Sequence, residues 1–225
     1  MKYLPRFGFA TRLNTRVDAP TSRGHRAATI RKSALLLLTS VLTLCALSAQ
    51  ALTLTGVQSR KTHLGGAGTF DLPVDTTQNV AGLITVEPRV AGSGHLIVFQ
   101  FDGPVASSGS VSVIDDGLTL LAGATSAASG NEVAVTLPAI ADNKRITVAL
   151  TNVNGVGLNA SASLAFMVGE INGSGAVNSS DISGVKARSG QVTNASNFKF
   201  DLNASGSVNS SDISAVKARS GLALP

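Results

Sequence analysis

The 225-residue sequence contains few aromatic residues and almost no cysteine. Its one Cys and its one Tyr, Cys45 and Tyr3, both precede residue 52, and it has no Trp. A mature chain that begins at Leu52 could therefore form no disulfide, and its rigidity would have to come from packing or from a bound metal. It would also lack the Trp and Tyr side chains on which many proteins stack sugars or the bases of single-stranded nucleic acid.

The sequence also lacks an apolar run long enough for a typical membrane span of about 20 residues. Residues 34–49, ALLLLTSVLTLCALSA, follow a basic segment and end next to the small-residue site Ala49-Gln50-Ala51. This pattern is typical of a secretory signal peptide. We therefore predict a signal peptide at residues 1–51 and a secreted or cell-surface protein that contacts the membrane only during export. An uncleaved membrane anchor is the alternative.

The positive net charge of the whole chain belongs to this leading segment. The formal charge is +5, but eight of the 18 Lys and Arg residues and only one of the 13 acidic residues precede Leu52. The remaining ten basic and twelve acidic residues give a net charge of −2. A basic surface for nucleic acid is therefore not expected in the mature protein, and we predict no nucleic-acid partner.

Residues 52–168 have the pattern of a β module. Apolar and polar residues alternate over residues 95–101, 110–114, 132–137, 145–150 and 162–166. Turn signals recur about every eight to twelve residues, which predicts a β-sandwich of about seven to nine short strands. The run ITVALTNVNGVGLN at residues 146–159 resembles the late strand and loop of bacterial immunoglobulin-like modules, and this resemblance implies that the sandwich is immunoglobulin-like.

This predicted sandwich shows no pattern typical of catalysis. His63 and His95 are far apart in the sequence, with no spacing typical of a metal site or a catalytic triad. His95 begins a predicted strand and is expected at the surface. Phe99 and Phe101 share one strand face, so we expect them in the core rather than in a sugar platform. We predict no enzyme; the alternative is a carbohydrate-binding protein or a small glycoside-acting enzyme with its activity in the sandwich.

The most informative feature is an internal repeat, because residues 170–190 and 201–221 are identical at 16 of 21 positions. Each copy has the spacing of a 12-residue calcium loop, with oxygen ligands at positions 1, 3, 5, 7, 9 and 12 and glycine at position 6. The apolar residue at position 8, Val177 or Val208, is expected to face the core. The two loops predict two calcium ions. The predicted ligands are Glu170, Asn172, Ser174, Ala176 (carbonyl), Asn178 and Asp181, then Asp201, Asn203, Ser205, Ser207 (carbonyl), Asn209 and Asp212.

Asp at position 12, the Asn-Ser-Ser-Asp run and a short basic helix that ends at glycine together resemble the dockerin type I repeat over residues 168–222. The resemblance implies a secreted, calcium-binding module that attaches to a cohesin-like or other extracellular protein, in polysaccharide-degrading or cell-surface assemblies. It implies partner contacts at the paired serines, to which we add the basic residues of each helix. The predicted partner-binding residues are Ser179, Ser180, Lys186, Arg188, Ser210, Ser211, Lys217 and Arg219.

The predicted fold is therefore mainly β with a small α module, in which an immunoglobulin-like domain at residues 52–168 precedes a dockerin-like tandem repeat at 169–225. The second loop is expected to bind calcium more tightly than the first. One reason is that Asp201 has a shorter side chain than Glu170. The other is that Ala204 replaces Gly173, which saves backbone entropy if φ at this position is negative.

Overall fold

The computed structural model describes residues 51–92 and 94–225. The predicted signal peptide lies outside these residues, apart from Ala51, and stays a prediction. Residues 51–225 form one compact unit, so the β region and the repeat pack together on either side of the predicted domain boundary. Neither α-helix in the described part of the chain is long or apolar enough to cross a membrane.

Nine strands in the described residues form two sheets. They are β1 (Leu54–His63), β2 (Gly68–Val74), β3 (Val86–Glu87), β4 (Leu96–Phe101), β5 (Ser110–Asp115), β6 (Thr125–Ser129), β7 (Glu132–Thr136), β8 (Lys144–Val153) and β9 (Leu158–Phe166). The first sheet has the order β2-β1-β4-β7-β6 and the second has the order β3-β9-β8-β5. All neighbours are antiparallel except β3 and β9. The mainly β prediction is confirmed, and the immunoglobulin-like class stays a prediction.

One hydrophobic cluster draws residues from both sheets, among them Ile97 and Phe99 of β4 and Val148 of β8. Phe101 is also buried, so the expectation that Phe99 and Phe101 lie in the core is confirmed. The expectation for His95 is wrong. It is 5% exposed and its ring centroid lies 4.1 Å from that of Phe166. Desolvation by burial lowers the pKa of His95 to about 4.

The repeat forms two short helices, α1 (Ser179–Lys186) and α2 (Ser210–Ala218), with a 3-10 helix at Phe198–Phe200 between them. Both α-helices begin with a capping box. The side chain of Asn178 accepts the N–H of Ser180, and that of Asp181 accepts the N–H of Asn178. Asn209 and Asp212 repeat this arrangement. Positions 9 and 12 of each loop are therefore cap residues as well as predicted ligands.

A second hydrophobic cluster joins the repeat to the β region. Val177 and Val208 are buried in it, which confirms the prediction for position 8. They pack with Val185 and Val216 of the helices and with residues of the β region, namely Ile84, Val86, Ala165, Met167 and Val168. Because the helices each offer only one short apolar face, this shared cluster supplies burial that the repeat alone lacks.

Candidate calcium loops

The first loop holds two buried carboxylates. Glu170 and Asp181 are each 1% exposed. Asp181 Oδ1 accepts the N–H of Ile171 at 3.0 Å, and its Oδ2 accepts the N–H of Asn178 at 2.9 Å. Glu170 Oε1 accepts the N–H of Ser174 at 2.7 Å, whereas Oε2 is buried without a partner. Burial, assisted by the charge of Asp181, raises the pKa of Glu170.

The donor set of this loop fits calcium. A buried carboxylate oxygen without a partner is costly, and a cation would remove that cost. Asn172 Oδ1, Ser174 Oγ and the Ala176 carbonyl add neutral oxygens on the same turn. Within residues 51–92 and 94–225, no three His, Cys, Asp or Glu side chains form a metal-binding cluster. An ion here would therefore depend on these neutral oxygens, which calcium accepts and softer metals do not favour.

The second loop holds its leading carboxylate differently. Asp201 Oδ1 accepts the N–H of Ser205 at 2.9 Å. Its Oδ2 accepts the N–H of Gly206 at 2.8 Å and the hydroxyl of Thr193 at 2.6 Å, and it lies 2.7 Å from Nδ1 of His63. Burial would raise the pKa of Asp201, but the hydrogen bonds from His63, Thr193, Gly206 and Ser205 outweigh it and hold the pKa below its ordinary value.

Position 12 of the second loop matches that of the first. Asp212 Oδ2 accepts the N–H of Asn209 at 2.8 Å, and Oδ1 accepts the N–H of Asn203 at 3.2 Å. Burial raises the pKa of Asp212, and the nearby charge of Asp201 acts in the same direction. The loops therefore offer calcium the same kinds of oxygen and differ mainly at position 1.

His63 reaches Asp201 from the end of β1 and belongs to a buried polar network. Its Nε2 lies 3.3 Å from Nη1 of Arg89, whose guanidinium pairs with Glu87 at 2.7 Å. Burial would raise the pKa of Glu87, and the hydrogen bonds and charge of Arg89 overcome this and lower it. An arginine can only donate, so Nε2 of His63 accepts and its Nδ1–H donates to Asp201. No local spacing in the sequence indicated this network, because 138 residues separate His63 from Asp201.

Backbone contacts bring the β region against the second loop. The N–H of Leu64 donates to the carbonyl of Ala204 at 2.9 Å, and the N–H of Val90 donates to that of Leu202 at 2.8 Å. A Cβ atom on Gly206 would lie 2.3 Å from the carbonyl oxygen of Leu64, whereas one on Gly175, its equivalent, would meet nothing within 4 Å. The second loop is thus covered at a point where the first is open.

One reason for the expected ranking of the loops is wrong. Ala204 has φ of +55°, in the left-handed region, and so the saving in backbone entropy does not apply. Gly173, at the same place in the first loop, has φ of +78° and adopts it without a side-chain penalty. The shorter side chain of Asp201 remains, and the donors around its Oδ2 are a structural difference that the sequence did not reveal.

The predicted partner-binding residues divide into two groups. Six are exposed, namely Ser179, Ser180, Lys186, Ser210, Ser211 and Lys217. The two arginines are half-buried and make contacts within the protein. The guanidinium of Arg188 lies 3.7 Å from the ring centroid of Phe200, and Nε of Arg219 lies 2.5 Å from Oδ2 of Asp142 in the β region.

Residues 168–219 match the dockerin type I domain family. No curated protein matches the sequence. The match supports a calcium-binding module for protein–protein attachment at these residues, and it agrees with the loop spacing, the capped helices and the exposed serine pairs. It does not extend to the β region.

Proposed function

We propose that this chain is an exported, non-catalytic attachment protein whose dockerin-like module binds two calcium ions and a cohesin-like partner. The observation that supports this proposal most is the contrast in exposure between the loop carboxylates and the serine pairs of the repeat. The carboxylates of both loops are buried, while Ser179-Ser180 and Ser210-Ser211 are exposed in the first turns of the helices. Ions in the loops would fix these turns, since positions 9 and 12 also cap the helices.

A non-catalytic β region is supported by the burial of both of its histidines and of the Glu87–Arg89 pair. His63, Glu87 and Arg89 are buried in one hydrogen-bonded network that also includes Asp201. His95 is buried against Phe166. A glycan array and a hydrolase screen on the full chain should therefore be negative. Activity in either assay would favour the alternative of a carbohydrate-binding protein or a small glycoside-acting enzyme.

A role in polysaccharide-degrading or cell-surface assemblies is part of the proposal.

Binding of the full chain to immobilised cohesin modules, with millimolar calcium or with a chelator, tests the attachment function. We expect binding that the chelator abolishes. The double variant Ser180→Arg/Ser211→Arg should weaken it, because it places a bulky cation on both exposed first turns. Ser129→Arg is the control, because Ser129 is also exposed but lies on β6. Binding that persists in chelator, or that both variants weaken equally, would contradict the proposal.

A further inference from the structure

Asp201 Oδ2 in the second loop is bound by His63 of the β region together with Thr193 and Gly206 of the repeat, whereas Glu170 Oε2 in the first loop has no hydrogen-bond partner. We propose that His63 is a positioning residue for the calcium ligand Asp201. Through the bond from His63 to Oδ2, the β region helps to pre-organise the second loop for calcium, and binding at that loop is coupled to packing of the β region against it. This inference rests on the proposed calcium binding of the repeat.

The two oxygens of Asp201 have different surroundings. Oδ1 accepts from the N–H of Ser205 and lies 3.4 Å from its hydroxyl, which is the predicted ligand at position 5. Oδ2 accepts the N–H of Gly206 within the loop and is also bound by the side chains of His63 and Thr193. A carboxylate with one oxygen fully occupied by donors loses little freedom when the other oxygen binds an ion. Outer-shell partners of this kind orient metal ligands and raise metal affinity.

His63 is itself fixed in position. Its side chain is fully buried, and its ring meets that of Phe70 edge-on at 5.2 Å. Arg89 donates toward Nε2 and is held by Glu87 and by the carbonyl of Ser59 at 3.1 Å. The imidazole can therefore neither turn away from Asp201 nor exchange its donor and acceptor nitrogens without breaking this network.

The first loop has no corresponding support. Glu170 Oε2 has no hydrogen-bond partner, and the residue lines a groove together with Ile84 and Lys199. Its longer side chain must also be ordered when an ion binds. A repeat that is nearly symmetric in sequence thus becomes asymmetric in calcium binding, because a side chain of the β region hydrogen-bonds to Asp201 whereas Glu170 Oε2 has no partner.

Coupling of this kind is reciprocal. If contact with the β region tightens calcium binding at the second loop, calcium at that loop must stabilise the contact by the same free energy. The proteins Asp201→Asn and Glu170→Gln form a matched pair, since the residues are equivalent in the two copies. We expect calcium to raise the Tm of the full chain less in Asp201→Asn than in Glu170→Gln.

A calcium titration of the ¹⁵N-labelled full chain, followed by the amide signals of Gly175 and Gly206, tests the role of His63 directly. We expect His63→Leu to raise the calcium midpoint at Gly206 about 10- to 100-fold and to change that at Gly175 by less than about twofold. His63→Asn should restore most of the affinity, because its side-chain amide can donate from the place of Nδ1. His95→Leu is the control, as His95 is buried but does not contact the loops.

Thr193→Val removes the other side-chain donor to Oδ2 with little change in volume and provides a second test if His63→Leu does not fold. This variant should also raise the calcium midpoint at Gly206 and leave the midpoint at Gly175 nearly unchanged. If both glycines respond to calcium and neither His63→Leu nor Thr193→Val shifts the Gly206 midpoint, the inference is wrong. Equal weakening by His63→Leu and His63→Asn also overturns it. If neither glycine responds in the unmodified protein, the proposed calcium binding fails instead.

Discussion

Nδ1 of His63 and Oδ2 of Asp201 lie 2.7 Å apart in the protein interior, with both side chains fully buried. The first residue belongs to the end of β1 and the second begins the second candidate calcium loop. The β region and the repeat therefore share a polar network as well as a hydrophobic cluster. Some of the buried contacts of the repeat are therefore made by the β region, which a search for calcium loops in the sequence would not reveal.

The buried ion pair should dominate the electrostatic contribution to stability. We expect Arg89→Ala to lower the free energy of unfolding by about 3–5 kcal/mol, because it leaves the carboxylate of Glu87 buried without its counter-charge. Arg60→Ala is the control. It removes a half-exposed pair with Asp71 and Glu132 and should cost about 1 kcal/mol. Urea unfolding followed by circular dichroism measures both, and equal losses would contradict the prediction.

The buried His95 should make stability depend on pH. Its pKa falls from the ordinary 6.5 to about 4 in the folded chain, so the unfolded chain binds more protons between these values. Stability is therefore retained above pH 6.5 and lost as the pH falls toward 4, by about 2–3 kcal/mol. His95→Leu should remove this part of the pH dependence. Parallel stability curves for the two proteins between pH 7 and pH 4 would show the prediction to be wrong.

Alanine at position 6 of the loops should have unequal effects. Gly175 and Gly206 both have positive φ, so either substitution costs about 1–2 kcal/mol in backbone strain. Only Gly206→Ala also collides with the carbonyl of Leu64, which should add about 1–3 kcal/mol. Thermal unfolding of the two variants in chelator separates these costs from calcium binding. A Tm for Gly206→Ala at or above that for Gly175→Ala would contradict the prediction.

Calcium should stabilise the protein with a weak affinity. Each loop offers two carboxylates, which places the dissociation constant at about 10⁻⁴ to 10⁻³ M, in the range of extracellular modules. At about 100 times the dissociation constant, one bound ion adds about 2.7 kcal/mol to the free energy of unfolding. Urea unfolding in increasing calcium, with magnesium as the matched control, measures this. No gain at about 10–100 mM calcium, which is about 100 times this dissociation constant, would count against binding.

Export should remove the leading basic segment. N-terminal sequencing of the secreted protein is expected to begin at Leu52, after the site Ala49-Gln50-Ala51. Replacing Ala49 and Ala51 by bulky residues should block processing, because signal cleavage requires small residues there. An exported protein that still begins at Met1 would contradict the prediction, and with it the expected change of net charge from +5 to −2.

Short-range patterns in the sequence predicted much of this protein correctly. Alternation of apolar and polar residues predicted the mainly β region, since side chains in a strand point to opposite faces in turn. The spacing within each repeat placed Val177 and Val208 in the core. It also brought oxygen-bearing residues together in each loop. These features involve residues within about a dozen positions of one another, and local backbone geometry largely fixes how such residues are placed.

Only the tertiary structure decided how the two copies differ. Sheet pairing and packing of the repeat bring His63 to Asp201 and Asp142 to Arg219, and both contacts join segments far apart in the sequence. Sheet pairing and packing also bury His95 and place the carbonyl of Leu64 close to Gly206. The nearly identical sequences of the two copies do not predict these differences. The differences arise because the β region packs against the two copies unequally.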